Sequence, residues 1–399
     1  MKYGLLVFKE SDNVGDDIQS YAASRFLPQI DCFVDREHLN EFVTDDGDAV
    51  AVIMNAWYLH NKLSFAISPY IHPLYISMHF AEADCLKIGY DFLSEKVIKA
   101  FSKSKYGVGC RDISTIEILK KKGLENTYFS GCLTLTLNPF DEVEKTNRVF
   151  CVDVDDSIAD LISSNTDFEV IRTTHNITPE KSVDFNWEAR KKRTEDLLRN
   201  YQGAKFVVTS RLHCALPCLA MGVPVFLVYR EDERNEKRIS DYLLFLRHGW
   251  YQELSDAIQE KFWENADDNP EYMKYRDNAI STVKEFVEQA KSENEHVELP
   301  ENYWYGLIQE MNKTVYSHFP RLFKIHDKIW DYEHKEEWYK QKVAWLECCE
   351  QKIAENEQEI GQYKQEIEML KNTNDQLNGQ LQSIVHRKAY RILKKLNLL

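Results

Sequence analysis

The sequence lacks the features that would place it within a membrane or on nucleic acid. Its first apolar run, Gly4 to Phe8, is interrupted by Lys9-Glu10 and is too short for the core of a signal peptide. Nothing in it approaches the roughly 20 consecutive apolar residues of a membrane span. It also has no basic excess, because its net charge is −15, whereas general nucleic-acid binding needs a basic surface. We therefore expect a cytoplasmic protein with no nucleic-acid partner.

The nine cysteines lack the paired spacing of a zinc site, and their number is odd. Cys214 and Cys218 lie four residues apart on one predicted helix face, and Cys348 and Cys349 are adjacent. Neither pair has a partner group at metal-site spacing. We expect free thiols in a reducing compartment, no metal and no cofactor.

The sequence is long and contains many short apolar runs. Its 399 residues suffice for two globular domains and an appendage, and an apolar content of 43% allows substantial cores. Runs typical of buried strands alternate with helical patterns, which predicts an α/β fold with doubly wound sheets. We place one such domain at 1–147, a second at 148–292, a helical connector at 293–345, and a coiled coil with a basic amphipathic tail at 346–399.

The strongest local pattern runs from Lys205 to Arg230. Lys205 to Thr209 is β-branched and aromatic, which predicts a buried strand. Ser210 is a favourable N-cap for a helix that Gly222 ends, and Val223 to Tyr229 predicts the next strand. A strand, a helix and a strand in so little chain indicate a right-handed βαβ unit.

Ser210, Arg211 and His213 therefore fall where the strand ends and the helix begins. Open α/β sheets bind ligands at that edge, and free backbone N–H groups there favour anions. Arginine grips a carboxylate or phosphate with a planar fork, and histidine can carry a proton near neutral pH. Pro217 is expected to distort the helix, because it cannot donate to the carbonyl of His213. The alternative is that Arg211 is a surface ion-pair residue and His213 a core or capping histidine.

Polar and aromatic residues also follow three predicted strands of the first domain, Tyr3–Phe8, Ala49–Met54 and Leu74–Met78. Aromatic rings stack on the apolar faces of sugars, so these residues are candidates for a sugar site. The alternative is that they serve as turn, core and loop residues. The candidates are Asn13, Asp16, Asn55, Trp57 and His79.

A further strand, Tyr106–Gly109, precedes Cys110-Arg111-Asp112 and the predicted helix Ile113–Lys122. Asp112 is expected to cap that helix or to orient Arg111. The following segment, Phe129–Leu137, alternates leucine and threonine and suits either a domain-boundary strand or a closely packed loop. The second domain is predicted to contain strands at Arg148–Val154 and Phe168–Thr173 and helices at Trp187–Tyr201, Asp256–Trp263 and Glu271–Lys291.

A heptad repeat begins at Leu346 and continues for six heptads, which is typical of a coiled coil. Asn374 at an a position favours a parallel dimer, whereas the alternative is a single helix packed on its own domain. The a positions are Leu346, Ile353, Ile360, Ile367, Asn374 and Leu381, and the d positions are Cys349, Asn356, Tyr363, Leu370, Leu377 and Ile384.

The end of the chain, His386 to Leu396, is basic and amphipathic. Such a segment can lie on an anionic membrane surface, and a solvated helix end is the alternative. The sequence thus predicts a homodimer joined by the coiled coil, with a possible peripheral contact at the inner face of the plasma membrane.

Ser210-Arg211-Leu212-His213, followed by Leu219 to Val225, resembles the signature of the polysaccharide pyruvyl transferases. Asn13-x-Gly15-Asp16 and Arg111-Asp112-x-x-Thr115 resemble two further elements of that family, with Thr115 where serine is usual. Leu133 stands where proline is common, and the glycine-rich loop of many relatives is absent. The resemblance implies a fold similar to that of GT-B glycosyltransferases, with two Rossmann-like domains facing a cleft.

The resemblance also implies a reaction: transfer of the enolpyruvyl group of phosphoenolpyruvate, the co-substrate, to a sugar of a cell-envelope or exopolysaccharide precursor. Ser210, Arg211 and Arg111 would bind the donor, and His213 would be the general acid. The acceptor would be a glycan or lipid-linked oligosaccharide, with Asp16 and His79 as candidate bases. Two alternatives are a glycosyltransferase that uses a nucleotide-sugar and a non-catalytic coiled-coil member of a polysaccharide-assembly complex.

Overall fold

The computed structural model describes residues 1–58, 67–80, 93, 95–177, 185–229, 237–264, 270–293, 295–299, 303 and 335–396. The chain forms two compact units, Met1–Pro320 and Arg321–Leu399. Within the described part, no helix is long and apolar enough to cross a membrane.

The first half of the Met1–Pro320 unit contains a four-stranded parallel sheet with strand order β2-β1-β3-β5. Two short parallel ladders, β4-β6 and β7-β8, accompany it and are joined by a bridge between Met78 and Cys110. The elements are β1 (Lys2–Val7), α1 (Val14–Ser24), β2 (Cys32–Asp35), a 3₁₀ turn (Arg36–His38), β3 (Val50–Ile53), β4 (Trp57–Tyr58), β5 (Ile71–Leu74), β6 (His79–Phe80), α2 (Glu95–Ser102), β7 (Val108–Cys110), α3 (Ile113–Lys121), β8 (Thr127–Phe129) and a second 3₁₀ turn (Leu133–Thr136).

The second half contains a five-stranded parallel sheet with strand order β10-β9-β11-β12-β13. The predicted strand–helix–strand unit around Ser210 is its centre, and that prediction is confirmed. The elements are β9 (Arg148–Val152), α4 (Asp156–Asn165), β10 (Glu169–Thr173), α5 (Trp187–Gly203), β11 (Phe206–Thr209), α6 (Leu212–Ala220), β12 (Val225–Val228), α7 (Lys237–Ser240), β13 (Arg247–Gly249), α8 (Tyr251–Gln259), a 3₁₀ turn (Phe262–Glu264) and α9 (Glu271–Ser292).

Both sheets are covered on both faces, as parallel sheets of α/β proteins are. Alternate residues of β1 and β11 enter different cores: Leu5 and Val207 join one cluster, whereas Leu6 and Val208 join two others. The cluster that holds Leu5 and Val207 contains residues of both sheets. The predicted α/β class is confirmed, and the division of the unit at residue 147 stays a prediction.

Two element predictions are wrong in their bounds. The strand expected at Leu74–Met78 is Ile71–Leu74, whose Pro73 is tolerated because β5 is the edge strand. The helix expected at Asp256–Trp263 is Tyr251–Gln259, because the Glu253 carboxylate accepts from the Trp250 backbone N–H at 3.0 Å and caps an earlier start. The segment Phe129–Leu137 is the closely packed alternative, with a buried 3₁₀ turn.

In the second unit, α10 (Lys335–Lys395) is a single helix of 61 residues. It covers the whole predicted heptad repeat, whose pairing stays a prediction. Most of the predicted connector, 304–334, lies outside the described residues.

Candidate active site

The candidate residues lie where the strand order of each sheet reverses. Strand β1 lies between β2 and β3, and β9 lies between β10 and β11, so crossovers leave on opposite sides at these points. The crevice outside the strand ends at such a point is the usual ligand site of open α/β sheets. The loops of the two sheets touch there, because the backbone N–H of Val14, after β1, donates to the carbonyl of His175, after β10, at 2.9 Å.

Arg111, directly after β7, is a buried cation at this place, with only 2% of its surface exposed. Its Nη1 lies 3.3 Å from the His213 Nε2 and donates to the Gln19 side-chain oxygen at 3.3 Å. Its Nε has no hydrogen-bond partner among the residues that the structure describes. The hydroxyl of Tyr242 fixes the backbone by donating to the Arg111 carbonyl at 2.6 Å. The charge of the neighbouring Asp112 acts on this guanidinium, and the buried Nε donor without a described partner favours an anionic ligand against Arg111.

His213, in the first turn of α6, packs directly against the loop after β1. A Cβ atom on Gly15 would lie 3.1 Å from both the Cβ and Nδ1 of His213, so only glycine allows this approach without displacement. Asn13 caps α1 by accepting from the Gly15 N–H at 2.9 Å. The Asn-x-Gly-Asp motif therefore has two roles. Asn13 caps the start of α1, and Gly15 leaves room for the imidazole of His213.

Gln19 is a site residue that the sequence analysis missed. It is buried, its side chain bonds Arg111, and its Nε2 donates to Asp16 Oδ1 at 3.1 Å. The Asn55 side chain, also buried, donates to the Gln19 carbonyl at 3.0 Å. The signal was available: Gln19 lies three residues after Asp16, and residues at that spacing share a helix face. Asp16 and Asn55 thus position Gln19.

His79 and Asp112 form a buried pair beside Arg111, joined by a hydrogen bond between His79 Nδ1 and Asp112 Oδ2. Asp112 caps α3 as expected, because Oδ1 accepts from the Thr115 backbone N–H at 2.9 Å and from the Ser114 hydroxyl at 2.6 Å. Burial alone would raise the pKa of this carboxyl, but the hydrogen bond and charge of His79, with the Arg111 charge, lower the pKa to about 2. Asp112 is therefore ionised at neutral pH.

Trp57 packs against the imidazole of this pair. Its ring packs edge-on against the His79 ring, with centroids 5.3 Å apart and an interplanar angle of 80°. The pairing follows from the β4-β6 ladder, in which Trp57 and His79 are directly opposite. Trp57 is partly exposed.

Ser210 is not the N-cap of α6, which corrects the sequence prediction. Arg211 occupies that position without a side-chain cap, and the Ser210 hydroxyl instead donates to the carbonyl of Asp153 at 2.5 Å. The reason is tertiary: β9 and β11 are neighbours, so the carbonyl after β9 lies within reach of the residue after β11.

Asp153 also holds Arg211, whose Nε donates to Oδ2 at 3.0 Å. The Nη2 of Arg211 donates to the Asn176 side-chain oxygen at 3.1 Å. Burial acts to raise the pKa of Asp153, but hydrogen bonds from Thr174 and His175, with the Arg211 charge, lower it. Arg211 is thus an ion-paired, partly exposed cation, whereas Arg111 is buried with a neutral amide and an imidazole as its described partners.

Direct contacts join Arg111 to His213 and Gln19 and join His79 to Asp112, and the charges of Arg111 and Asp112 link the two sets into one group. Trp57, Asn13, Asp16 and Asn55 lie at the edge of this group. Ser210 and Arg211 form a second group around Asp153. A buried cation, two imidazoles and an ionised carboxylate can bind a small anion and move protons beside it.

Comparison with known proteins places the same residues in a family. The family model described as polysaccharide pyruvyl transferase matches residues 13–233, more than half of the chain. That range contains every candidate residue named above except Tyr242. An uncharacterised protein from Klebsiella pneumoniae subsp. pneumoniae NTUH-K2044, known from its crystal structure, is 14% identical, with a TM-score of 0.33 and a match covering 61% of this chain and 88% of that one. No curated protein matches the chain.

Proposed function

The chain belongs to the polysaccharide pyruvyl transferase family, and from that premise we propose that it uses phosphoenolpyruvate to form a pyruvate ketal on a sugar. The acceptor is a glycan or lipid-linked oligosaccharide of a cell-envelope or exopolysaccharide precursor. The donor lies in a cleft between two Rossmann-like halves arranged as in GT-B enzymes.

The observation that carries this proposal is the buried guanidinium of Arg111 beside His213. Phosphoenolpyruvate is a small anion with a carboxylate and a phosphate, and a planar guanidinium binds either group through two parallel hydrogen bonds. The Nε of Arg111, which bonds to no other group in the described part of the chain, supplies one of those donors. Arg211 binds the other anionic end, and its pairing with Asp153 fixes its direction.

The residues then act at separate atoms of the donor and acceptor. His213 gives a proton to the methylene carbon C3, which becomes the methyl group, while C2 gains oxocarbenium character. A sugar hydroxyl attacks C2 and loses its proton to a base. The C2–O bond to phosphate then breaks, phosphate leaves with that electron pair, and a second hydroxyl attacks C2 and loses its proton to close the ketal. The two protons released by the sugar restore His213 and protonate the departing phosphate.

His79 is the base that the contacts favour over Asp16. When His79 is neutral and its Nδ1 donates to Asp112, a proton taken from the sugar would be bound at Nε2. Asp16 instead accepts hydrogen bonds from the Ser11 hydroxyl and from Gln19. Trp57, in contact with His79, offers its ring to the acceptor sugar.

The basic end of α10 brings the enzyme to its acceptor. Arg387, Lys388, Arg391, Lys394 and Lys395 accompany the exposed apolar side chains of Ile392, Leu393 and Leu396. Cations interleaved with exposed apolar groups suit an anionic membrane surface, where lipid-linked glycans are made. We therefore assign the working location to the cytoplasmic face of the plasma membrane.

Calorimetry with phosphoenolpyruvate tests the donor assignment. We expect the native chain to bind it, Arg111→Met to lose most of that affinity, and Arg172→Met to bind like the native chain. Arg172 is a matched control, because it is an exposed arginine paired with Asp156 and Asp160. Binding of a nucleotide-sugar without phosphoenolpyruvate would instead identify a glycosyltransferase, and binding of neither would favour a non-catalytic role. Phosphate release that depends on an added glycan acceptor would establish turnover.

A further inference from the structure

The α10 helix presents an apolar seam that its own chain leaves exposed. Tyr363, Ile367, Leu370, Leu377 and Leu381 are each 52–62% exposed, and all five occupy a or d positions of the heptad repeat. A helix that is polar on its remaining faces gains little by exposing such a seam, and pairing of a/d seams is how coiled coils bury it. The two glycines of the helix, Gly361 and Gly379, fall outside the a and d positions and do not interrupt the seam.

We propose that α10 pairs with α10 of a second copy of this chain, in parallel and in register, from Leu346 to Ile384. This assembly is independent of the proposed chemistry, because no residue of the candidate site lies in the helix. The argument for a second copy, for the parallel direction and for the register comes from the residues that flank the seam.

Charged residues at the e and g positions are complementary in a parallel, in-register pair. In such a pair, each g residue faces the e residue five positions later on the other helix. The three consecutive g–e pairs are Lys352 with Glu357, Glu359 with Lys364, and Glu366 with Lys371. All three are attractive, and each occurs twice in a symmetric dimer. An identical second copy is therefore complementary without any other partner.

Asn374 fixes the same register from inside the seam. In a parallel, in-register dimer an a residue faces its own counterpart, so two Asn374 side chains can bond each other. In an antiparallel pair a faces d, and alignment of the whole seam would place Asn374 against Asn356. That arrangement is disfavoured by its flanking charges, because Lys364 would then face Lys371 and Glu359 would face Glu366.

The sequence also sets where the pairing ends. The next three a and d positions after Ile384 are Lys388, Arg391 and Lys395. Cations at the seam would face identical cations of the partner, so the two helices separate there. The coiled coil thus ends where the basic tail begins, and both tails leave it at the same end.

Disulfide trapping in the full-length chain tests direction and register together. In a Cys348→Ser/Cys349→Ser background, Asn374→Cys is expected to cross-link two chains on mild oxidation. Asn372→Cys, at the outward f position of the same heptad, is the matched control and should remain uncross-linked. Equal cross-linking of both variants, or of neither, would overturn the parallel in-register pairing.

Light scattering and charge-reversal variants test whether the partner of α10 is a second copy of this chain. The unmodified chain is expected to have twice the mass of one chain, and either a single-chain mass or a threefold mass would overturn the proposal. Lys371→Glu should weaken dimerisation by roughly 2- to 10-fold, since two exposed pairs become repulsive. Adding Glu366→Lys to that variant should restore it. A double variant as weak as Lys371→Glu alone would show that these two positions do not face each other.

Discussion

At the scale of single residues, we expect Arg111 to bind the donor and His213 to transfer a proton, although Arg111 Nη1 and His213 Nε2 are only 3.3 Å apart. His213→Ala should keep phosphoenolpyruvate affinity and lose turnover by about 10²–10⁴-fold, the worth of a placed general acid. Calorimetry and phosphate release measure the two quantities. His296→Ala, an exposed histidine near Asp48, should change neither. Near-native turnover in His213→Ala would return His213 to a structural role.

The Asp112 carboxyl predicts a particular dependence of stability on pH. Its pKa falls from 3.8 to about 2 on folding, so it stabilises the folded state at every pH above the unfolded value. That contribution, about 2 kcal/mol, is lost as the pH falls from about 4 to about 2. Denaturant unfolding of the native chain and Asp112→Asn should therefore show a constant difference at neutral pH that shrinks in acid. A difference that grows in acid would contradict the lowered pKa of Asp112.

At the scale of elements, the site depends on how closely α1 approaches α6. Gly15→Ala places a methyl group 3.1 Å from the His213 Cβ, so one of the two helices must shift. We expect turnover to fall about 10-fold or more, because small displacements of a catalytic group are costly. Gly379→Ala in α10, where nothing lies within 4 Å of the added group, is the matched control. It should leave turnover unchanged and stabilise its helix by about 1 kcal/mol.

The local sequence predicted the secondary-structure elements better than the tertiary contacts of individual residues. The β11–α6–β12 unit could be predicted because a strand of four consecutive buried residues precedes a helix that Gly222 terminates. The spacing from Asp16 could place Gln19 on the same helix face, but its contact with Arg111, 92 residues away, could not be predicted. The same holds for the contact of Asp153 with Arg211, 58 residues away. Ser210 shows the same limit, because a carbonyl on the neighbouring strand competed successfully with the local helix N-terminus.

At the scale of the whole molecule, the basic tail should decide where the protein resides. Each of its five cations contributes about 1 kcal/mol near an anionic surface. Sedimentation with phosphatidylserine vesicles should capture the native chain, and vesicles of phosphatidylcholine alone should not. Replacing the five cations with glutamine should abolish capture while leaving phosphoenolpyruvate binding intact. Equal capture by both kinds of vesicle would leave only a solvated helix end.

Because Arg111 is buried and the cations of the basic tail are exposed, donor binding and vesicle binding should respond differently to ionic strength. Mobile ions screen exposed charges over about 8 Å at physiological salt, but they do not enter a contact that is closed to solvent. The chain carries a net charge of −15, which repels phosphoenolpyruvate at a distance. Added salt weakens that repulsion and the contact with the partly exposed Arg211, but not the buried contact with Arg111, so donor affinity should change little. Capture by vesicles depends on exposed cations and should fall in the same titration.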